Sequence, residues 1–387
     1  MEMNKILYKT ILKNAFFVPF KIRFWDGEVI KYGEGESEFT FIFNNPIPLT
    51  EIKKDPSMAL GEAYMSNAID LDGNLQKVIE YLYNNSKSFL HGPIINKFFS
   101  NNRKKSKDNV EYHYDIGNDF YRLWLDDSMT YSCGYFQSPD DTLNDAQKNK
   151  VDYILRKLNL EKGQTLLDIG CGWGELILTA AKEYQVKSMG ITLSSEQFLK
   201  VKERIKVEKL EDLVEVQLLD YRELKKRKFD RIVSVGMVEH VGKDCLHEYF
   251  CAVDKLLMPK GVSLLHSITC NSGVAIDTWI DKYVFPGGYL PTVEELTSNI
   301  INEDFHLIDA ESLRIHYAKT LEHWAKNFEN ALPEIMKIKD ETFTRMWRLY
   351  LNGCAASFNC GNIDIHQLLF TKGVNNEMPL TREYMYQ

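Results

Sequence analysis

Asp168 is followed at once by Gly170-Cys171-Gly172-Trp173-Gly174, a carboxylate leading into glycines at alternate positions. A carboxylate can hold cationic or hydroxyl groups of a ligand. Glycines, lacking a Cβ, let the backbone come close to it. Apolar Leu166-Leu167 precede the loop, and a helical pattern from Leu176 to Tyr184 follows it. That order reads as a buried strand, a tight turn and a helix start. No G-K-[ST] follows the glycines, which argues against a phosphate loop. With Asp168 ahead of it and an ordered series of strands behind, the loop reads as the cofactor loop of a methyltransferase that uses S-adenosylmethionine.

Further polar residues sit where such a fold would use them. Ligands of open parallel sheets bind beyond the carboxyl ends of the strands. The second candidate strand ends in Thr192, with Glu196 and Gln197 just beyond, and these three must share any ribose contact. The third ends in Asp220-Tyr221, where the carboxylate can accept from an adenine amino group while the ring stacks on the base. Asp220 can equally cap a helix N-terminus, and the two roles are compatible. The fourth ends in Glu239-His240 and the fifth in His266. Glu239 and His266 then share one rim, as an acid–base or anion-holding pair. His240 falls on the following helix, where a structural role is expected.

The elements that must position these residues are strands at Thr165–Gly170, Val186–Thr192, Val214–Asp220, Phe229–Gly236 and Gly261–Ile268. Segments near Phe305–Leu313 and Ile363–Phe370 complete the sheet. Several are near-continuous apolar runs, as in parallel sheets covered on both faces. The fold class is therefore α/β, a Rossmann-like S-adenosylmethionine-dependent methyltransferase fold with a small N-terminal α+β domain.

The expected division is a small domain at residues 1–90, a basic linker at 91–110 and the catalytic domain at 111–387. In the small domain, Asp26-Gly27 between Ile22-Arg23-Phe24-Trp25 and Glu28-Val29-Ile30-Lys31 is a hairpin signal. Asp55-Pro56 opens a helix with proline at its first position. Phe16, Phe17, Phe20, Phe24 and Trp25 read as core in preference to a lipid-facing surface. In the linker, Lys97, Arg103, Lys104, Lys105 and Lys107 form either a solvated hinge or a patch for anionic lipid headgroups, worth about 1 kcal/mol per basic residue near the surface.

Composition narrows the classes. The chain has 387 residues, is 44% hydrophobic, and carries a net charge of −8, which argues against a nucleic-acid partner. No apolar run is long enough to span a membrane, and Met1 to Lys13 lacks a signal-peptide core. A cytoplasmic location, or one on a membrane's inner face, is expected. Seven scattered cysteines without C-x-x-C pairs indicate neither a disulfide framework nor a zinc site, so no metal is expected.

Longer motifs bring a resemblance. Tyr114-Asp115-Ile116-Gly117-Asn118-Asp119-Phe120-Tyr121, Met129-Thr130-Tyr131-Ser132-Cys133-Gly134-Tyr135-Phe136, the glycine loop, and Arg231 to Gly242 stand in order. Leu264 to Ile268, Tyr283 to Gly288 and Tyr350-Leu351-Asn352-Gly353-Cys354 follow. Together they resemble the cyclopropane-fatty-acyl-phospholipid synthases and the related cyclopropane mycolic acid synthases, strongly over residues 105 to 375. The resemblance implies methyl transfer from S-adenosylmethionine to a cis double bond of an acyl chain in phospholipid, then proton loss to bound bicarbonate and ring closure. It implies peripheral membrane contact and suggests a homodimer.

Carried over by position, the bicarbonate holders are Glu239, His266, Tyr317 and the backbone around Cys133, with Cys354 nearby. The cofactor contacts are Tyr131, Ser132, Asp168, Gly170, Gly172, Thr192, Gln197, Asp220 and Tyr221. Methyl transfer to an alkene needs no acyl-enzyme, so Cys133 and Cys354 are not expected to be nucleophiles. Cys171 suits the loop by its small size, and Cys245, Cys251, Cys270 and Cys360 receive no role. Rival readings are a relative that methylates the alkene without closing the ring, a small-molecule N-methyltransferase, and a lipid-binding protein with a decayed site.

Overall fold

The computed structural model describes residues 2–88, 116–225, 227–271 and 276–386. The expected basic linker, Tyr114-Asp115 and residues 272–275 lie outside these. In chain order the elements begin α1 (Glu2–Ala15), β1 (Phe20–Arg23), β2 (Val29–Tyr32), β3 (Phe39–Phe43), α2 (Leu49–Lys54), α3 (Pro56–Met65), β4 (Ile69–Asp72) and α4 (Leu75–Asn84). They continue α5 (Asn118–Arg122), α6 (Leu143–Lys157), β5 (Thr165–Ile169), α7 (Glu175–Tyr184), β6 (Lys187–Thr192), α8 (Ser195–Val207), β7 (Val214–Leu218) and β8 (Phe229–Val235). Last come α9 (Leu246–Leu256), β9 (Leu257–Cys270), α10 (Thr278–Tyr283), α11 (Val293–Asn302), β10 (Phe305–Ser312), α12 (Arg314–Asn330), α13 (Leu332–Ile335), α14 (Glu341–Asn359) and β11 (Ile363–Lys372). Among the described residues no helix is long and apolar enough to cross a membrane.

The chain forms two compact units, and the first is discontinuous. It takes Met1–Asn96 together with Asp277–Pro286 and Leu321–Asn362. The last two segments were expected with the catalytic domain at 111–387. Trp279 explains one: its indole covers Gly61 so closely that a Cβ there would stand 2.3 Å from Cδ1. Arg345 explains the other, with a buried guanidinium that donates to the carbonyls of Tyr64 and Ile69 and to Asp70. Such pairings join residues far apart in sequence and leave no local pattern.

The first unit holds a four-stranded sheet in the order β2-β1-β3-β4. The hairpin forms as expected, but its loop is Trp25-Asp26-Gly27, closed by Phe24 N–H donating to Glu28 O at 2.9 Å. Gly27 takes the left-handed φ of +88° that such a loop needs. Pro56 opens α3, and Asp55 caps it by accepting from Met58 N. Phe16, Phe20 and Phe24 are buried in one aromatic core with Phe39, Phe41 and Phe43. Trp25 packs at its margin. Phe17 departs from the core expectation, being 63% exposed.

The second unit holds a seven-stranded sheet in the order β10-β11-β9-β8-β5-β6-β7. β5 pairs in parallel with β6 and β8, so the chain winds outward from it in both directions. That reversal is the switch point at which α/β sheets bind ligands. β11 is antiparallel to β9 and β10, closing the far edge. Side chains of β5 and β8 alternate between two buried clusters, Leu166 and Val233 on one face and Leu167 and Ile232 on the other. Helices cover both faces, which accounts for the apolar strand sequences.

Candidate active site

Beyond the carboxyl end of β5 the chain enters the glycine loop. Gly170 and Gly172 have φ of +88° and +54°, conformations that side-chain-bearing residues rarely adopt. A Cβ on Gly172 would meet nothing within 4 Å, so its missing side chain leaves open space. The loop is anchored behind by Gly170 N–H and Cys171 N–H, which both donate to Ile191 O at 3.0 Å. Cys171 lies against Gly190, where an added Cβ would stand 2.7 Å from Sγ. A small side chain at 171 is thus a packing requirement.

This loop forms one wall of a cavity inside the second unit. The cavity is lined by Tyr131, Ser132, Asp168, Gly170, Gly172, Thr192, Gln197, Asp220 and Tyr221, all the residues expected to meet a cofactor. Thr192 Oγ1 donates to Gln197 Oε1 at 2.7 Å, tying the end of β6 to α8. Ser194 caps α8 from the same turn. Asp220 does cap the turn after β7, accepting from Arg222 N–H at 2.9 Å. The Arg222 guanidinium also grips both carboxylate oxygens, at 2.9 and 2.6 Å. The Tyr221 hydroxyl is buried without a hydrogen-bond partner.

Two expectations are corrected here. Glu196 does not line the cavity; its carboxylate accepts from Asn118 Nδ2 at 2.9 Å. Asn118 in turn accepts from the indole of Trp173, a cavity residue, at 2.7 Å. His240, expected to be structural, does line the cavity, and burial pushes its pKa down to about 4.

Lys150 is a cavity residue that sequence reasoning missed. It lies on α6, 3% exposed, and donates to Ser132 Oγ at 2.9 Å. Desolvation lowers its pKa to about 8. Desolvation raises that of Asp168 to about 7, against the pull of the Lys150 charge. Asp168 Oδ1 has no hydrogen-bond partner. The cavity's other charged side chains are neutralised in place: Asp220 by Arg222, and Glu175 by Arg204 at 2.6 Å. Asp168 and Lys150 are therefore the charged groups still suited to a ligand. Gln147, also on α6, donates to Ser132 O at 2.8 Å and fixes the strip that carries Tyr131 and Ser132.

Glu239 and His266 are not cavity-lining residues but are buried close behind the strand ends. Glu239 Oε1 accepts from Ile268 N–H at 2.7 Å; Oε2 has no hydrogen bond of normal geometry, although the nearby Ser267 side chain lowers the cost of its charge. Desolvation raises its pKa to about 7. Gly236 N–H donates to His266 O at 2.9 Å, which links the two strand ends. The ring of His266 is fully buried, and desolvation lowers its pKa to about 3. Gln367 Nε2 stands 3.1 Å from His266 Nδ1. Which ring nitrogen carries the proton follows the orientation of the Gln367 amide, whose Oε1 is buried without a partner. His266 Nε2 also lacks a partner.

Cys133 is buried, its thiol donating to Gly134 O at 3.2 Å, and desolvation raises its pKa well above the ordinary thiol value. A neutral, enclosed thiol is not an activated nucleophile. The neighbouring backbone is held by α12: Gly134 N–H donates to Thr320 Oγ1 at 2.9 Å and Phe136 N–H to His316 Nδ1 at 3.0 Å. Tyr317 lies on this same turn of α12, half-buried. Cys354 lies on α14 in the first unit, its thiol pushed up to about 12 by desolvation.

Comparison with known proteins supplies the family. Residues 101–368 match the family described as mycolic acid cyclopropane synthetase, and residues 7–93 match a domain of unknown function. A probable fatty acid methyltransferase from Pseudomonas putida is 39% identical over 96% of this chain and 98% of its own length. The cyclopropane-fatty-acyl-phospholipid synthase of Escherichia coli K12 is 37% identical over 87% of this chain and 89% of its own. The structure of mycolic acid cyclopropane synthase CmaA1 complexed with SAH and CTAB superposes with a TM-score of 0.66, at 35% identity, over 69% of this chain and 98% of that one. The chain belongs to the mycolic acid cyclopropane synthetase family and is an S-adenosylmethionine-dependent methyltransferase.

Proposed function

We propose that this enzyme adds the methyl carbon of S-adenosylmethionine across a cis double bond of an acyl chain in membrane phospholipid, closing a cyclopropane ring, with bicarbonate as base. The observation that carries the reading is the pair of orphaned buried atoms, Glu239 Oε2 and His266 Nε2. One is a carboxylate oxygen and the other, in the tautomer protonated on Nε2, an N–H donor, a pair that complements a small anion able both to accept and to donate hydrogen bonds. The name of the Escherichia coli relative supports a phospholipid acyl chain as acceptor.

The chemistry asks for such an arrangement. An alkene is a weak nucleophile, so donor and double bond must be held close and in line. Bound S-adenosylmethionine supplies an electrophilic methyl group. As the alkene electron pair takes that methyl, the C–S pair leaves with sulfur and the acyl chain becomes a carbocation. Water would trap this cation, so the site must be dry. Loss of a proton from the new methyl group then closes the ring. Bound bicarbonate supplies a small base for that proton and spares Glu239 from alkylation by the cation. In this reading His266 Nε2–H donates to the anion and Glu239 accepts the anion's own proton. The Tyr317 hydroxyl and the backbone around Cys133 complete the cradle.

On the cofactor side, Asp168 and Lys150 offer opposite charges to the ammonium and carboxylate of the methionyl part. Gly170 and Gly172 give backbone approach, Thr192 and Gln197 meet the ribose, and Asp220 and Tyr221 meet the adenine. Reaching an acyl chain in a bilayer requires peripheral contact with the membrane's inner face.

A second reading is methylation without ring closure, which the name of the Pseudomonas putida relative favours. Mass spectrometry separates the two after incubation with unsaturated phospholipid vesicles and deuteriomethyl S-adenosylmethionine. A ring product that has lost one methyl deuterium supports cyclopropanation. A branched product that keeps all three selects the second reading, and no labelled lipid refutes both.

A further inference from the structure

Away from the cofactor cavity, on the opposite face of the sheet from α6, His247 and Cys251 lie one turn apart on α9. Glu303, which ends α11, reaches the same point. Cys251 Sγ is 3.1 Å from Glu303 Oε1 and stands 3.8 and 3.5 Å from His247 Nδ1 and Nε2, and Nδ1 is 3.2 Å from Glu303 Oε1. The three ligand atoms thus form a triangle with sides of 3.1, 3.2 and 3.8 Å.

We propose that His247, Cys251 and Glu303 form a binding site for a divalent zinc-type ion. Ligands at about 2.0–2.3 Å from a tetrahedral zinc stand about 3.3–3.8 Å from one another, so the observed 3.1 to 3.8 Å asks only for small side-chain shifts. The donor set is an imidazole nitrogen, a thiolate sulfur and a carboxylate oxygen. Sulfur and nitrogen select zinc and its d-block neighbours over magnesium or calcium. A thiolate and a carboxylate together balance a dication, with the imidazole neutral. Two ligands one helical turn apart share a face, so α9 needs no distortion to present them. Glu303 is pre-positioned, because Asp304 after it takes a φ of +57° that stops α11 and turns the chain away.

The exposure pattern suits metal entry. The Glu303 side chain is 17% exposed and that of His247 70%, so the triangle is seated on one side and open to solvent on the other. Three protein ligands leave a fourth position for water. The bound ion would pin α9 to the end of α11. The same contacts without an ion are a surface hydrogen-bonded cluster, and the experiment must tell these apart.

The test uses the full-length protein after chelator treatment. Zn²⁺ binding is followed by calorimetry, Co²⁺ binding by absorption, and thermal unfolding is measured with and without Zn²⁺. The expected result is one equivalent of metal, a sulfur-to-cobalt charge-transfer band, and a melting temperature raised by Zn²⁺. Cys251→Ser should abolish the band, and His247→Ala should weaken Zn²⁺ binding by about tenfold to a hundredfold. Cys245→Ser, at a cysteine outside the triad, should leave the band intact, which shows that the signal is not general thiol binding. Absence of stoichiometric binding, or a band that survives Cys251→Ser, would overturn the site and leave a hydrogen-bonded cluster only.

Discussion

The cavity at the glycine loop and the buried side chains of Glu239 and His266 use the ends of the same sheet but are held differently. The cavity is built by local turns. Gly170 and Gly172 take left-handed φ, Thr192 bonds to Gln197 five residues on, and Asp220 is gripped by Arg222 two residues on. Glu239, His266 and the strip around Cys133 depend on partners distant in sequence. Glu239 is fixed by Ile268, His266 by Gln367, and Gly134 by Thr320. Turn chemistry thus sets several cavity residues, while Lys150 and Gln147 of α6 reach across to hold Ser132. The buried Glu239 and His266 are instead set by long-range partners that meet one atom of each group and leave the other unpartnered.

The sharpest way to separate the regions is Glu239→Gln. It should lower kcat by about a thousandfold, as loss of a group serving the base does. Cofactor affinity, read by calorimetry, should not change. A parallel loss of affinity would merge the two regions into one.

Asp168→Asn should do the reverse. It removes a charge-assisted contact and should raise the cofactor Kd by about tenfold to a hundredfold. The value of kcat at saturating cofactor should move far less. An unchanged Kd would remove Asp168 from the cavity's binding groups.

Acidity offers a graded test of the cavity. The raised pKa of Asp168, about 7, means that it protonates as pH falls through neutrality. Its attraction for an ammonium group is present above that pH and lost below it. Lys150, at about 8, is cationic below that pH and loses its charge above. Cofactor affinity should therefore peak between the two. Asp168→Asn should flatten the acid limb, and Lys150→Met the alkaline one. An acid limb that persists in Asp168→Asn would assign it elsewhere.

The smallest effect should come from Thr142→Ala, which breaks the capping box at the start of α6. Unfolding free energy should fall by about 1 kcal/mol, with kcat and cofactor Kd intact. A large kinetic effect would mean that the helix carrying Lys150 and Gln147 is positioned more delicately than its packing suggests.

How much was legible in the sequence follows the same division. The strands, the glycine loop and the cavity residues could be read because each announces itself within a few positions. Lys150 could not, since a lysine within an amphipathic helix looks like any solvent-facing cation; its burial comes from Ser132 and the sheet beneath it. Glu196 was misassigned because only the fold brings Asn118 across from the segment before α6. The membership of 277–286 and 321–362 in the first unit was hidden for the same reason. For the proposed metal site, His247 and Cys251 stand four apart on one helix, but Glu303 comes from another element.

The measurement that tests the account most directly is the bicarbonate dependence of ring formation at saturating cofactor, in the wild type and in His266→Ala. The account predicts that turnover of the wild type collapses in carbonate-depleted buffer and returns on adding bicarbonate. His266→Ala should need far more bicarbonate for half-maximal turnover while its cofactor Kd stays the same. Turnover indifferent to bicarbonate in both proteins would contradict the assignment of Glu239 and His266 as holders of the base.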